Sequence, residues 1–297
     1  MPLQPLMHAV VAAVCAAAVV PARAGEVLDR IQQRGKIVIA HREASVPFSY
    51  LDGNGRPIGY AIELCHKLAD AIAEKLKLRH LAIDYLLVTS ATRIASVAEG
   101  RADLACDSTT NNAERRRKVA FTVPHYITGA RYVVRATSPI QQLVDFEGKT
   151  LLSTTGTTPL KALQQANRER LLRIRIGEVD DHVRGVEAVE NGTADGFAMD
   201  EVLLYGLIAT RPDPSKLKVV GKYLTIEPLG IMYSRDDAEL KRIVDDEMKR
   251  LIRSREAYAI HDRWFTQPIP PSGRNLNLPM NYLLRDFWKY PTDRVPD

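Results

Sequence analysis

Short apolar runs alternate with amphipathic stretches along most of the chain. In the first part of the chain, β-branched runs that follow a glycine or a polar turn indicate buried strands. Between them, apolar residues recur every three or four positions, as on a helix that packs on one side. The predicted strands are residues 36–40, 81–88 and 102–106, and the predicted helices are residues 58–76 and a short segment after Ser90. This alternation is typical of a mostly parallel sheet with helices on its faces.

The same alternation returns after residue 130. The predicted strands there are residues 131–135, 149–153, 173–176 and 196–199, and the predicted helices are residues 157–166, 182–190 and 236–252. Gly100-Arg101-Ala102-Asp103 and Gly192-Thr193-Ala194-Asp195 each follow a predicted helix and lead into an apolar strand. Gly-x-Ala-Asp is a common turn, so chance is one explanation. We favour the alternative explanation, in which the repeated Gly-x-Ala-Asp turn marks two separate α/β units.

Composition places the chain among ordinary globular proteins. Of its 297 residues, 45% are hydrophobic and 26% are charged, which excludes a disordered or collagen-like chain. The formal net charge is +5, and the basic residues are scattered. This small surplus does not favour nucleic acid as a partner.

The N-terminal segment has the pattern of an export signal. Residues 7–21 are almost wholly apolar but are too short for a typical membrane-spanning helix of about 20 residues. Ala22-Arg23-Ala24 then fits a signal-peptidase site, which predicts a cleaved signal peptide over residues 1–24 and a periplasmic mature protein. A retained anchor is the alternative, because no lysine or arginine precedes the apolar run.

Removal of such a signal would leave two cysteines, Cys65 and Cys106. In an oxidising compartment they could form a disulfide. We favour two separate buried thiols, because one lies on the apolar stripe of a predicted helix and the other ends a predicted strand. No cysteine and histidine residues have the spacing of a metal site, and the sequence predicts no cofactor.

Polar side chains follow the carboxyl ends of the predicted strands, where open α/β sheets bind their ligands. Two lobes that face each other would bring these side chains into one cleft. The candidates are Arg42, Arg93, Arg115, His182 and Asp200, together with the serine and threonine residues that follow the strands ending at residues 88, 106 and 153. They combine guanidinium groups, hydroxyl groups, one imidazole and a single carboxylate.

The chemistry of this set favours a small anionic ligand with one amine. A guanidinium group grips a carboxylate with two hydrogen bonds, and the start of a helix also attracts anions. Asp200 suits an ammonium group, and we expect it also to cap the helix that follows. Three arginines and Asp200 give the cleft a charge of +2 with His182 neutral. The set therefore predicts an acidic amino acid as ligand.

Several motifs carry a resemblance to a known family. They are HREASVPFSYLDGNGRPIGYA (41–61), TSATR (89–93), CDSTTNNAERR (106–116), STTGTT (153–158), the pair Asp181-His182, MDEVLL (199–204) and WFTQPIPPSGRNLNLPMN (264–281). From about residue 26 to 290, the chain resembles the periplasmic polar-amino-acid-binding proteins of ABC importers. It is most similar to the members that bind glutamate and aspartate.

The resemblance implies an α/β, two-lobe periplasmic-binding-protein fold of type II that closes over its ligand. It implies one discontinuous lobe (25–130 and 230–297), a second lobe (131–229) and hinge crossings near 128–133 and 225–232. It further implies a monomer without catalytic activity that delivers glutamate or aspartate to the permease subunits of an ABC importer. Two alternatives remain: a dehydratase-like enzyme on this scaffold, or the ectodomain of an amino-acid sensor.

The resemblance also implies a role for each candidate residue. Arg115 matches the arginine that binds the ligand α-carboxylate, together with Thr110 and Thr158. Asp200 and Ser108 match the groups that receive the α-ammonium group. The set around the side-chain carboxylate is Arg42, Ser90, Arg93 and His182. Beside that carboxylate, we expect His182 to be partly protonated.

Overall fold

The structure is a computed structural model, and it describes residues 26–296. The predicted signal peptide lies outside the described residues. The α-helices are α1 (Glu26–Arg34), α2 (Tyr60–Lys75), α3 (Arg93–Ala98), α4 (Ala113–Arg116), α5 (Thr158–Glu169), α6 (His182–Glu190), α7 (Glu201–Thr210), α8 (Ala238–Arg253), α9 (Glu256–Phe265) and α10 (Tyr282–Phe287). Within this range, no helix is both long enough and apolar enough to span a membrane.

The strands are short and fall into two larger sheets and two small ones. They are β1 (Lys36–His41), β2 (Ala44–Ser45), β3 (Ser49–Leu51), β4 (Pro57–Ile58), β5 (Ala82–Leu87), β6 (Leu104–Thr110), β7 (Ala120–Phe121), β8 (Tyr126–Thr128), β9 (Ala130–Arg135), β10 (Thr150–Thr154), β11 (Arg175–Val179), β12 (Gly196–Asp200), β13 (Leu217–Val220), β14 (Glu227–Tyr233), β15 (Pro268–Ile269) and β16 (Arg274–Asn275).

The first large sheet has the order β5-β1-β6-β14-β7, and β8 also pairs with β14. Strands β5, β1 and β6 are parallel, whereas β14 runs antiparallel to β6. Helix α2 packs on this sheet, and α8 and α9 pack on α2. We call this sheet with its helices the first lobe. The helices pack on the sheet because the apolar face of each element is removed from water only when another element covers it.

The second large sheet repeats the plan in the order β11-β10-β12-β9-β13. Strands β11, β10 and β12 are parallel, and β9 runs antiparallel to β12. Helices α5, α6 and α7 pack on it, and we call this unit the second lobe. The chain passes from the first sheet to the second between β8 and β9, and it returns between β13 and β14.

The echoed turns occupy the same place in the two lobes. In the first lobe, the backbone N–H of Val38 donates to Asp103 Oδ2 at 2.8 Å, and the backbone N–H of Asp103 donates to the Val38 carbonyl. In the second lobe, the backbone N–H of Thr150 donates to Asp195 Oδ2 at 2.8 Å, and the reciprocal backbone bond is also present. Each aspartate thus fixes a helix-to-strand turn to a neighbouring strand of its own sheet.

The structure corrects the preferred state of the cysteines. Cys65 on α2 and Cys106 on β6 form a disulfide, with their Cα atoms 6.2 Å apart. Helix α2 packs directly against β6, so the apolar stripe of the helix and the inner face of the strand present the two sulfur atoms to each other. Both residues are buried, as expected, but they are bonded rather than separate.

Strand β6 is longer than predicted. It continues through Asp107 and Ser108 to Thr110, so these polar residues lie within the strand rather than after it. Antiparallel pairing with β14, which places Leu229 opposite Thr110, supplies the hydrogen-bond partners for this extension. The apolar pattern alone could not show it, because β14 is not among the predicted strands.

The C-terminal tail covers the first lobe and contains α10. The indole N–H of Trp288 donates to the Pro124 carbonyl at 2.9 Å, and Asn281 Nδ2 donates to the Ile127 carbonyl at 2.7 Å. Strands β15 and β16 form a short hairpin at the start of the tail. The tail is therefore bonded to the body of the protein along its length.

Candidate functional site

The candidate residues meet where the two lobes face each other. All of them are buried except Thr158, which is half-buried. Six line a common cavity: Arg93, Ser108, Thr110, Thr158, His182 and Asp200. Ser90 and Arg115 line an adjoining cavity with Thr158, and Arg42 is joined to the group through Ser90. The structure therefore brings all nine predicted residues into one region.

Arg42 follows β1 and is 2% exposed. Its Nη1 atom donates to Ser90 Oγ at 2.7 Å, and its Nη2 atom lies 3.8 Å from Asp181 Oδ2. Burial lowers the pKa of Arg42 to about 10, and the charge of Arg93 acts in the same direction, whereas Asp107 and Asp181 oppose it. The guanidinium group stays charged at pH 7, with one weak ion pair at its outer end.

Arg93 begins α3 and is paired with a buried carboxylate that the sequence analysis did not select. Its Nη1 atom donates to Asp107 Oδ2 at 3.1 Å, and both side chains are buried. Burial alone would raise the pKa of Asp107. Arg93 and the Thr109 hydroxyl, with help from Arg42, nevertheless hold that pKa below its ordinary value. The sequence analysis did not select Asp107, although Ser108 and Thr110 were selected from the same predicted loop.

Arg115 spans the gap between the lobes. Asn112 caps α4 by accepting a hydrogen bond from the backbone N–H of Arg115 at 2.9 Å. The guanidinium group then donates from Nη1 to the Thr110 carbonyl at 2.9 Å and from Nη2 to the Gly156 carbonyl at 3.2 Å. Burial lowers the pKa of Arg115 to about 10, Arg93 adds to this, and Glu227 leads the opposing charges. Carbonyl groups, rather than a carboxylate, orient this cation.

Glu227 on β14 is a second carboxylate that the sequence analysis missed, and it is 1% exposed. Its Oε2 atom accepts hydrogen bonds from Thr110 of the first lobe and, at 2.6 Å, from Thr158 of the second. Thr225 donates to its Oε1 atom at 2.6 Å. The hydroxyl groups of the two threonines are thus occupied by Glu227. In the sequence, Glu227 could have been recognised only as a glutamate at the start of an apolar run.

Asp200 ends β12 and is 3% exposed. Its side chain does not cap α7, which corrects the expected double role, and its Oδ1 atom has no hydrogen-bond partner among residues 26–296. Burial raises the pKa of Asp200 well above its ordinary value, and Glu227 adds to the rise, whereas Arg93 and Arg115 oppose it. Asp200 is the site's unpaired acceptor.

The predicted cleft charge of +2 is wrong. Three guanidinium groups face three buried carboxyl groups, because Asp107 and Glu227 join Asp200. The site is therefore close to neutral when Asp200 is ionised and carries one positive charge when Asp200 is protonated. Favourable binding of an anion then depends on which cations lack a close carboxylate, rather than on the net charge.

His182 begins α6, whose N-terminus is capped by Asp181 through a 2.8 Å bond from the Val183 N–H. The imidazole Nδ1 atom lies 2.8 Å from Thr154 Oγ1. Burial lowers the pKa of His182 well below its ordinary value, and Arg42 and Arg93 lower it further. Burial and two neighbouring cations thus disfavour a positive charge on His182, and the expected partial protonation, which needs the ligand carboxylate beside the ring, stays a prediction.

The lobes approach each other closely around the site. A Cβ atom on Gly156 of the second lobe would lie 2.8 Å from Ala91 Cα of the first. The common cavity measures only about 10 Å³ as the space open to the centre of a water-sized sphere, which is room for about one water molecule. An amino acid can therefore enter only if the lobes part or the lining side chains turn.

These geometries suit binding of a small zwitterion with an extra acid group. Arg42 and Arg115 offer donors to carboxylates, and Asp200 offers an acceptor to an ammonium group. Among the described residues, no group of histidine, cysteine, aspartate and glutamate side chains is arranged to hold a metal ion.

Two α/β lobes with a buried polar cleft between them define a solute-binding protein of the two-lobe class. Residues 37–267 match the bacterial extracellular solute-binding proteins, family 3, and the chain belongs to this family. The predicted family is thereby confirmed.

Relatives with assigned names cover nearly the whole chain. The chain is 39% identical over 293 residues to the L-glutamate/L-aspartate-binding protein of Pseudomonas aeruginosa, covering 98% of this chain and 97% of that one. It is 34% identical over 272 residues to the glutamate/aspartate import solute-binding protein of Escherichia coli, covering 92% and 90%.

Solved structures confirm the predicted two-lobe fold class. A mutant of ArgBP from T. maritima superposes with a TM-score of 0.70 at 23% identity, covering 80% of this chain and 98% of that one. The solute receptor for L-cysteine of Neisseria gonorrhoeae also gives a TM-score of 0.70, at 22% identity, covering 80% and 92%. At this level of identity, the likeness concerns the fold alone.

Proposed function

We propose that this protein captures glutamate or aspartate in the periplasm and delivers it to the membrane permease subunits of an ABC importer. The names of the relatives from P. aeruginosa and E. coli support this ligand class. The observation that carries the proposal is the convergence of Arg42, Arg93 and Arg115, from separate segments, on the region around Asp200.

Arg115 and Asp200 are proposed to bind the amino-acid part of the ligand. Arg115 has no ion pair with a carboxylate in the part of the chain described, and two carbonyl groups fix its direction. It is therefore suited to the α-carboxylate, near Thr110 and Thr158. Asp200 Oδ1 lacks a partner, and Ser108 lines the same cavity, so these two groups suit the α-ammonium group.

Arg42, Ser90, Arg93 and His182 are proposed to surround the side-chain carboxylate. Arg93 is already balanced by Asp107 at 3.1 Å, whereas the carboxylate nearest to Arg42 is at 3.8 Å. We therefore assign the preference for an acidic side chain mainly to Arg42. His182 can contribute one hydrogen bond there through the ring nitrogen that does not face Thr154.

We propose further that the mature protein begins at Gly25, acts as a monomer and closes by rotation of its lobes. The proposed lobes are 25–130 with 230–297, and 131–229. Ligand that touches both lobes would stabilise the closed form, which the permease subunits would recognise.

Calorimetric titration of the protein with each of the twenty common amino acids tests the ligand class. Glutamate and aspartate should bind tightly, and glutamine and asparagine should bind weakly, because their amides leave Arg42 without an anion. In Arg42→Gln, the advantage of glutamate over glutamine should shrink by about tenfold or more. Arg56→Gln, at an exposed turn, is the matched control. A wild-type protein that prefers a neutral or basic amino acid contradicts the proposal.

We propose that binding occurs without turnover. The titratable candidates besides the arginines, His182 and Asp200, are assigned to ligand contacts. Glutamate recovered after prolonged incubation with the protein should be chemically unchanged by mass spectrometry. A new product that forms in proportion to protein concentration would show an enzyme instead.

A further inference from the structure

The hairpin formed by β15 and β16 lies within the tail motif of residues 264–281. It contains none of the nine candidate binding residues. It is anchored in the first lobe. Ile269 is buried in the hydrophobic core, and the Tyr50 hydroxyl donates to the Pro270 carbonyl at 2.7 Å. Asn275 Nδ2 donates to the Thr266 carbonyl at the end of α9 at 2.6 Å. The hairpin therefore moves as part of the first lobe.

Arg274 reaches from this hairpin to the second lobe. Its Nη1 atom donates to the Ala209 carbonyl at 2.7 Å and to the Arg211 carbonyl at 2.8 Å. These carbonyl groups lie at the C-terminal end of α7, where the last turn of a helix lacks intrahelical partners and carries partial negative charge. The guanidinium group thus bonds the second lobe at a place that favours a cation.

The same face of α7 lies against the backbone of the first lobe. A Cβ atom on Gly206 would come within 2.1 Å of the Val46 carbonyl oxygen, so only a glycine permits this approach. Parting of the lobes would carry α7 away from residue 46 and would also break both bonds of Arg274. The contact therefore belongs to the closed arrangement.

The contact includes none of the nine candidate binding residues. Helix α7 starts immediately after Asp200 and is ten residues long, so its C-terminal end lies about 15 Å from Asp200. Replacement of Arg274 can therefore change closure without touching the residues that contact the ligand.

We propose that Arg274 stabilises the closed form and thereby sets the rate at which bound ligand dissociates. Its two bonds form only when the lobes meet, so they favour closure for any ligand that bridges the cleft. The effect is the same for each ligand, because Arg274 contacts the protein and not the ligand. The choice of probes rests on the proposed function, whereas the bonds of Arg274 do not.

Stopped-flow dissociation of L-glutamate, L-aspartate and L-glutamine from the full chain tests this proposal. Arg274→Ala should raise each dissociation rate by about tenfold, as expected for the loss of charged hydrogen bonds, with a much smaller change in association rate. Arg274→Lys retains a charge that can reach one carbonyl and should give an intermediate rate. Arg285→Ala is the matched control, because Arg285 donates at 2.9 Å to the Met280 carbonyl within the tail.

Distances between spin labels provide a readout that does not depend on ligand identity. Labels at Arg79→Cys and Glu169→Cys occupy exposed sites on opposite lobes. Arg274→Ala should shift the distances toward longer values, and Arg285→Ala should not. If wild-type protein prefers another amino acid, the proposed function fails, but the same fold-change is expected for that amino acid. Wild-type dissociation rates and distances in Arg274→Ala, or unequal rate changes among ligands, overturn the proposal.

Discussion

At the scale of residues, the three arginines of the cleft differ in what already balances them. Arg93 has Asp107 in contact, Arg42 has a weak pair with Asp181, and Arg115 has only carbonyl groups. A buried cation whose partners are neutral gains most from an incoming carboxylate. This ranking assigns general affinity to Arg115 and side-chain preference to Arg42.

Arg115→Ala should weaken every amino-acid ligand by about 2–5 kcal/mol, because the α-carboxylate would be left without its cation. Calorimetric titration measures this loss directly. Arg117→Ala is the matched control, since Arg117 follows on the same turn but is exposed and should bind normally. Unchanged affinity in Arg115→Ala would refute the assignment of the α-carboxylate.

We expect the binding of an amino acid to release protons, because of the raised pKa of Asp200. Its pKa is raised well above the ordinary value, mainly by burial, so part of the population is protonated before an ammonium group arrives. Glutamate affinity should therefore rise with pH above the usual range of an aspartate, and titrations in buffers with different ionisation enthalpies should show proton release. Asp200→Asn should abolish the release. An affinity that falls as pH rises would instead support a protonated His182.

Position at a strand end, together with the family resemblance, was enough to select the nine candidates, and the structure brings all nine together. Neither criterion selected Asp107, which also follows a predicted strand, or Glu227, which lies on a strand that was not predicted. Both carboxylates lie on strands whose extent depends on pairing between β6 and β14, residues far apart in sequence. Their effect on the pKa values of Asp200 and Arg115 likewise arises only from tertiary proximity.

At the scale of elements, the sequence pattern predicted a helix correctly where one face of the helix is apolar and its N-terminus has a capping residue. Helix α6 was predicted with its observed bounds, because Asp181 caps a clear amphipathic repeat. Strand β14 was not predicted, since Pro228 and Gly230 interrupt its apolar run. Burial between β6 and β7 overrides that weak local preference.

The disulfide between α2 and β6 predicts a measurable contribution to stability. It closes a loop with a sequence separation of 41 residues, for which loop entropy gives about 4 kcal/mol. A Cys65→Ala/Cys106→Ala double variant should lose roughly that much free energy of unfolding in a urea titration. The wild-type protein with its disulfide reduced keeps both sulfur atoms and is the control for packing, because each single variant would also lack the bond. A double variant as stable as the wild type would show that the bond contributes nothing.

At the scale of the whole molecule, two of the buried histidines in the first lobe, His125 and His261, pack among aromatic side chains. His261 stacks on Phe265, and neither of its ring nitrogens has a hydrogen-bond partner among the described residues. His125 packs against Phe48 and Tyr60. Burial lowers the pKa of both His125 and His261 to about 4.

These histidines predict acid sensitivity of the fold. Above pH 6.5, the ordinary pKa of histidine, both rings are neutral in the folded and in the unfolded state, so the free energy of unfolding does not change. As pH falls from 6.5 toward about 4, only the unfolded state gains protons, so stability decreases. Each histidine should contribute a loss of about 1.4 kcal/mol per pH unit. His261→Phe should reduce this slope in urea titrations at pH 7 and pH 5. His80→Phe, at an exposed site, should keep the wild-type slope.

Strand β14 has a consequence for the order in which the protein can be completed. It lies between β6 and β7 in the first sheet, yet it comes after every strand of the second sheet in the chain. As the polypeptide is made from its N-terminus, the second lobe has all of its strands by residue 220, while the first still has a gap beside β6. The lobe that starts first therefore finishes last, and its unpaired edge must be kept from other chains until Glu227–Tyr233 arrives.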